Sequence, residues 1–396
     1  MKTRRTLKYR LYHNRRNKRL HQRIDVAGLI WNHMVALQRR TYRLGGKYIS
    51  RYDMQRHLAK LRKHSPRYAH WQLLGSQAVQ ELAERHDKAY QRFFAYKRGK
   101  GPRHGRPRFK KVKQYSSFTL KQAGWKYEGG NRIFIHGTTY NFSFSRLVAG
   151  DIKTVTVKRD SLDQLWICLS VIQDAPEIVE GSTGHSGGFD FGLKAFLTDH
   201  EGNEYHSPEF LKAELNEIAR LNRELSRKQK GSNNRQKAKR RLAKAHARIA
   251  DKRRDAHWKL AHELCTRFGL ICLETLNLDG MKRLWGRKVS DLGFAEFAGI
   301  LHQVAAKTGA EIVQVDRWLP TSKACAACGV LQEIPLSVRH FDCPDCGWSC
   351  SRDQNAALNI LAAGLSAAAA GASAASCQDD SRLGDVRRPR LTAVSA

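Results

Sequence analysis

Gly187-Gly188-Phe189-Asp190-Phe191-Gly192-Leu193-Lys194 sets one carboxylate inside an otherwise apolar, strand-like stretch. A buried acid is costly unless it is paired or binds a metal, so Asp190 needs a reason to be there. Two further acids pose the same question. Glu274 closes the apolar run Leu270-Ile271-Cys272-Leu273, and Asp353 opens a helix in Ser351-Arg352-Asp353-Gln354-Asn355. Ser351 and Gln354 have the spacing of a capping box. Taken singly, each acid has an ordinary structural reading: a turn residue, a salt-bridge partner, an acid at a helix N-terminus. Taken together, they mark two strands and the start of a late helix.

The surrounding chain alternates β and α. Residues 188–198 read as a strand and 202–206 as its hairpin partner, with helices across 208–268. A buried strand follows at 270–276, a helix at 291–308 and a strand at 311–315. In a ribonuclease H-like plan, the first strand, the fourth strand and a late helix converge their carboxylates on divalent metal. Two hard cations roughly 3.5–4 Å apart can activate water and stabilise the leaving oxygen of a phosphodiester.

Upstream, four glycines in 181–188 mark a linker. Before it, residues 116–173 hold short β-rich runs separated by Gly, Asn and Asp, as in a small β-barrel. Residues 6–12 alternate as a strand, and 15–97 read as helical, with Ile24, Ala27, Trp31 and Met34 on one face. From Ala362 the chain turns Ala/Ser/Gly-rich and then polar, the composition of a disordered tail.

Four of the nine cysteines form two CxxC pairs, Cys325/Cys328 and Cys343/Cys346, each followed by glycine. That spacing reads as a four-thiolate zinc ribbon holding one structural Zn2+, with no open position for catalysis. Cys168, Cys265 and Cys272 read as small core residues; Cys350 and Cys377 have no assigned partner.

Charge narrows the class. The 396 residues carry 71 Lys+Arg against 36 Asp+Glu, a formal +35. Such self-repulsion excludes an ordinary metabolic enzyme and calls for a polyanion. Between 92 and 113, ten of 22 residues are basic and none is acidic, interleaved with Phe93, Phe94, Tyr96 and Phe109. Between 220 and 254, fifteen of 35 are basic against Glu224 and Asp251. An isolated run of this kind is usually a solvated charged face; here the surplus of cations exceeds what intramolecular pairing can absorb, and nucleic acid is the expected partner. No apolar run reaches the roughly 18–20 residues that span a bilayer, and no apolar segment follows the basic start, so a cytoplasmic, nucleoid-associated prokaryotic protein is expected.

At these residues the sequence resembles the TnpB (OrfB) family of transposon-encoded RNA-guided nucleases, relatives of the type V CRISPR effectors. The matching phrases are Gly188-Phe189-Asp190-Phe191-Gly192-Leu193-Lys194, Leu273-Glu274-Thr275-Leu276-Asn277-Leu278-Asp279-Gly280-Met281, and Thr321-Ser322-Lys323-Ala324-Cys325 through Cys346-Gly347 to Arg352-Asp353-Gln354-Asn355. The resemblance covers about 5–362 and is most specific from 187 to 360.

It implies an α+β multidomain chain, with a helical recognition domain inserted in a wedge β-barrel and then a RuvC-like nuclease domain with an inserted zinc ribbon. The expected boundaries are 1–14 (first barrel strand), 15–113 (helical domain with basic loop), 114–180 (barrel), 181–187 (linker), 188–320 (nuclease), 321–350 (ribbon), 351–362 (last helix) and 363–396 (disordered tail). Asp190, Glu274 and Asp353 become the catalytic triad holding two Mg2+ or Mn2+. Arg106, Arg108, Lys110, Arg240, Arg241, Arg253, Arg254 and Arg352 become candidate phosphate contacts. Tyr52, Gln80 and Thr119 become candidates for reading a short motif beside the target.

The implied partners are a guide RNA from the transposon end and double-stranded target DNA, with no membrane and the protein monomeric with its RNA. The alternatives are a miniature type V CRISPR effector using a CRISPR RNA and a non-cleaving RNA-guided repressor. The repressor predicts loss of an acid, and all three are present. No constellation for hairpin-end or tyrosine transposase chemistry is visible.

Overall fold

The computed structural model describes residues 2–174, 184–335 and 338–370. The chain forms two compact units, 1–175 and 176–396.

In the first unit, β1 (Lys2–Arg10) leads into α1 (Asn17–Arg43), α2 (Arg51–His64) and α3 (Ser76–Lys97). Leu20, Ile24, Ala27, Trp31 and Met34 recur at helical spacing along α1 and are buried, as the periodicity predicts. Strands β2 (Ser117–Leu120), β3 (Trp125–Tyr127), β4 (Arg132–Ile135), β5 (Thr138–Asn141), β6 (Asp151–Arg159) and β7 (Leu165–Asp174) follow.

They make two open sheets, in the orders β1-β7-β6-β2 and β3-β4-β5, and no closed barrel is found among the described residues. Closure requires every strand to have two partners. Here β1 and β2 are edges, and β3–β5 are three or four residues long, joined to the β1 end only by the bridge Leu11↔Phe142. The barrel expectation is corrected accordingly. Helices and sheets share one continuous core, including Tyr9, Trp31, Leu82, Phe118 and Phe142.

The second unit is built on a sheet of order β10-β9-β8-β11-β12. Its strands are β8 (Ser186–Phe191), β9 (Leu197–Asp199), β10 (Glu204–Tyr205), β11 (Leu270–Glu274) and β12 (Glu311–Val315). Strands β8, β11 and β12 are parallel. The single strand expected at 188–198 is two: the chain turns after Phe191, with Gly192 against the Ala195 carbonyl, and β9 returns antiparallel to β8. A side chain at Gly192 would collide there, so this turn is glycine's doing.

The helices are α4 (Phe210–Ala213), α5 (Leu215–Ser226), α6 (Asn233–Arg267), α7 (Leu278–Leu292), α8 (Phe294–Thr308) and, after the ribbon strands β13 (His340–Asp342) and β14 (Ser349–Ser351), α9 (Arg352–Ala369). The helix expected at 291–308 begins at 294; Gly293, at φ +67°, separates it from α7, a helix that the apolar pattern does not announce. Helix α9 runs seven residues past the expected boundary at 362, because alanine is the best helix former. The remainder of the expected tail, 371–396, and linker residues 181–183 lie outside the described residues.

The sheet has two dressed faces. Phe189, Phe191, Ile271, Leu273 and Ile312 pack with α6 and α8 residues such as Leu264, Phe297 and Leu301. Cys272, Val313 and Val315 pack with Ile360 of α9. Gly188 belongs to the α9 face, where a Cβ would meet the Ala357 carbonyl and stand 2.6 Å from Leu361 Cβ. Gly188→Ala should therefore push α9 away, costing about 1–3 kcal/mol. The expected fall in melting temperature is about 2–10 °C. Gly286→Ala, where nothing lies within 4 Å, is the control. An unchanged melting temperature for Gly188→Ala would contradict the packing described.

Candidate active site and zinc ribbon

Strand register brings the acids together. Leu273 pairs with Phe189, so Glu274 runs beside Asp190 in parallel strands and points to the same side. That side is the α9 face, since Gly188 and Asp190 are two residues apart on β8. Asp353 lies in the first turn of α9. The Phe191 backbone N–H is within reach of both the Asp190 and Glu274 carboxylates.

Burial raises the Asp190 carboxyl well above its ordinary value, and repulsion from Glu274 and Asp353 adds to this. Arg352 and the Phe191 N–H oppose the rise without cancelling it. Burial likewise pushes Glu274 up to about 7. Carboxylates that repel one another with insufficient positive charge favour hard divalent cations, although among the described residues only the four cysteines have ligand atoms within 4.8 Å of one another.

The sign of this effect is testable. Without a cation, deprotonating Glu274 costs the folded state stability as pH rises from about 4.5 through 7. Divalent metal binds the deprotonated form, so its affinity should rise about tenfold between pH 6 and pH 8 and flatten above. Calorimetric titration with Mn2+ measures this; an affinity independent of pH over that range would contradict it.

Two arginines border the site. Arg339 Nη1 stands 3.9 Å from Asp353 Oδ1, and the Arg339 carbonyl accepts the Arg352 backbone N–H at 2.9 Å. Nothing in the sequence singles out Arg339; it lies in a short apolar-flanked segment whose proximity to Asp353 is purely tertiary. Arg352 donates to the Pro335 and Val338 carbonyls at 3.2 and 3.3 Å, which ties its guanidinium to the ribbon between its two cysteine pairs.

The ribbon's four sulfurs lie within 4.8 Å of one another, with Cys325–Cys346 at 3.7 Å and Cys328–Cys343 at 3.6 Å. A tetrahedral Zn–S length of about 2.3 Å requires sulfurs about 3.8 Å apart. The dimensions fit. Each CxxC closes as a turn: Gly329 N–H donates to the Cys325 carbonyl and Gly347 N–H to the Cys343 carbonyl, with both glycines at φ above +70°. Hydrogen bonds from the Cys346 and Asp345 N–H groups draw the Cys343 thiol down to about 7, toward the thiolate that a metal needs.

The ribbon is bolted to α9. Asn355, fully buried, donates to the Ala324 carbonyl at 2.7 Å and accepts the Ala326 N–H at 2.9 Å. Asn359 donates to the Thr321 and Ala324 carbonyls at 2.8 Å. Both asparagines grip the first cysteine knuckle from the turns of α9 next to Asp353. Sequence reasoning misses this role, although Asn355 and Asn359 stand one helical turn apart.

The other candidate residues divide. Arg106, Arg108 and Lys110 are exposed on a segment lashed to α1: Trp31 Nε1 donates to the Arg108 carbonyl at 3.1 Å and Asn32 Nδ2 to the Lys110 carbonyl at 2.8 Å. Arg106 lies over the rings of Tyr42 and Phe93 at 5.2 and 5.3 Å. The expected loop is thus a fixed basic strip.

Tyr52, Gln80 and Thr119 border elements joined at Glu84, which pairs with Lys121, Lys88 and Arg51. Tyr52 accepts from Arg51, the Gln80 carbonyl accepts from Gln55, and Thr119 shares a hydrogen bond with Thr156. Hydrogen bonds from Lys121 and Lys88 hold the Glu84 carboxyl down at about 2.

In the second unit, Arg240 and Arg241 are exposed on α6, the latter paired with Glu224 at 2.9 Å. Arg253 is committed inward, donating to the Ser290 carbonyl at 3.0 Å and pairing with Glu296 at 3.2 Å. Arg254 shares Glu296. These two pin α6 to the start of α8.

Comparison with known proteins agrees with this architecture. The OrfB family profile, described as "Probable transposase", matches residues 176–284, and a "Cas12f1-like, TNB domain" profile matches 294–360. A protein of Streptomyces pristinaespiralis named "Putative RNA-guided DNA endonuclease" is 33% identical over 319 residues, spanning 78% of this chain and 77% of that one. "Putative RNA-guided DNA endonuclease InsQ" of Escherichia coli K12 is 28% identical over 86% of this chain and 87% of its own. The mimivirus "TnpB-like protein L79" is 34% identical over 54% of this chain and 44% of its own. Among solved structures, a Cas12f1–sgRNA–target DNA complex contains a chain superposing with a TM-score of 0.56 at 16% identity, covering 91% of this chain and 99% of that one. That last likeness concerns the fold alone. No helix among the described residues is long and apolar enough to cross a membrane.

Proposed function

The chain belongs to the TnpB (OrfB) family, related to the type V CRISPR effectors, and from that premise we propose that it is an RNA-guided DNA endonuclease. It takes a guide RNA derived from a transposon end, acts as a monomer with that RNA, and cuts double-stranded DNA beside a short adjacent motif. What supports this reading is that Asp190 and Glu274 stand side by side on β8 and β11, that the charge of Asp353 at the α9 start reaches Asp190, and that all three acids are present. A repressor would need none of them.

Asp190 from the central strand, Glu274 from its neighbour and Asp353 from the α9 N-terminus would hold the cations. When bound, a pair of Mg2+ or Mn2+ ions supplies a lowered pKa for water and compensation for charge at phosphorus. The chain's own part is to hold the carboxylates without freedom to swing, which the sheet and the Asn355/Asn359 grip provide. Arg339 offers a guanidinium to a phosphate oxygen beside Asp353, and the positive end of α9 favours the same charge. One structural Zn2+ in the four-cysteine cluster keeps the ribbon folded.

The guide is held through phosphates by the basic strip around Arg106–Arg108–Lys110 and by α6 cations such as Arg240. If six or more phosphates are neutralised, RNA affinity should fall roughly 10³-fold between about 50 and 200 mM salt. Filter binding of the co-purified RNA across that range tests it, and a flat salt response would contradict it.

A further inference from the structure

Trp318 is 81% exposed, more than any other tryptophan of the chain. An indole in water is an unfavourable placement that a flexible loop could relieve by folding it away. The backbone of this loop is held in place. Asp316 Oδ1 accepts the Trp318 backbone N–H at 3.0 Å, the Asp316 carbonyl accepts the Leu319 N–H at 3.2 Å, and the Leu319 carbonyl accepts the Thr321 N–H at 2.8 Å. The backbone that carries the exposed ring is a tight, hydrogen-bonded turn.

Its location gives the exposure meaning. Val315, the last residue of β12, pairs directly with Glu274, and Thr275 ties the two strand ends by donating twice to the Val315 carbonyl. Trp318 is three residues further on. At 3.8 Å per Cα step and about 4.8 Å between strands, its Cα lies within about 16 Å of that of Glu274, the span of a few nucleotides. The Arg317 guanidinium covers the ring at 5.6 Å, so a cation for a phosphate and a flat surface for a base stand side by side.

We propose that Trp318 is a base-stacking platform that positions single-stranded DNA for the carboxylates, with Arg317 holding the adjoining phosphate. This rests on the nuclease reading for its role in cutting but not for its binding test. Trp318 is a positioning residue: it fixes the strand's register and touches no reacting atom.

The test uses the full-length protein with its RNA and a single-stranded oligothymidylate carrying 2-aminopurine, in chelator so that nothing is cut. Stacking on tryptophan quenches the 2-aminopurine. We expect strong quenching with the parent protein, little with Trp318→Ala and most of it restored with Trp318→Phe. Where magnesium is added, Trp318→Ala should lower kcat/KM about 10- to 100-fold, and an abasic nucleotide at the quenched position should cost the parent as much but Trp318→Ala nothing more. Equal quenching in parent and Trp318→Ala would overturn the proposal. So would sedimentation showing that the indole instead joins two copies of the chain. A protein that quenches but never cuts would overturn the nuclease reading and leave this one standing.

Discussion

Asp190→Ala protein, loaded with its RNA, is expected to bind matched DNA as the parent does and to leave it uncut. The residue sits at the centre of the sheet, beside Glu274, and feels the charge of Asp353 at the start of α9. Its loss would remove one of the three carboxylates proposed to hold the cations. Water activation and charge compensation at phosphorus then fail together, so the cutting rate should drop by at least about 10³-fold. Affinity should hardly change, because the cations proposed to hold phosphates, Arg339 included, are left in place. Glu274→Gln should behave likewise, since an amide keeps the shape and loses the charge. Replacing Asp190 also removes a strained carboxylate, so the variant should melt no lower than the metal-free parent. Parental cutting by Asp190→Ala would move the nuclease site away from this sheet.

The second large effect concerns the ribbon. Cys343→Ser should release about one zinc per chain and lower cutting by about 10²-fold or more. The route is mechanical. Asn355 and Asn359 use the carbonyls of Thr321 and Ala324 and the Ala326 N–H, all around the first cysteine pair. When the knuckle opens, a fully buried asparagine loses its partners, and the helix turn that carries Asp353 loses its anchor. Zinc binding is folding free energy for a module this small. RNA binding by the basic strip of the first unit should survive. Zinc is measured by atomic absorption, and full metal content in the variant would contradict the four-thiolate site.

Much of this site is legible in the amino-acid sequence. Asp190 declares itself because a charge in an apolar strand has few explanations, and the cysteine spacing because two CxxC turns leave little else to build. The helical face of α1 follows from its period. What escapes is what strand pairing and packing decide. Whether 116–173 closes into a barrel depends on edges meeting, and β1 and β2 do not. The break after Phe191 hinges on one glycine's closeness to the Ala195 carbonyl. Residues 362–369 read as low complexity, yet alanines beside a packed sheet extend α9. Arg253 looks like one more cation for nucleic acid, whereas Glu296, 43 positions away, claims it. Arg339 has no signal at all until α9 brings Asp353 beside it.

The central claim is that these three carboxylates cut DNA chosen by a bound RNA. The direct measurement is cleavage of a plasmid by the purified protein with its RNA, comparing a target matched to the guide beside its adjacent motif with a scrambled target, with magnesium present and then chelated. A linear product is expected only for the matched target with magnesium. Intact matched plasmid under those conditions, or equal cutting of the scrambled target or in chelator, would contradict it.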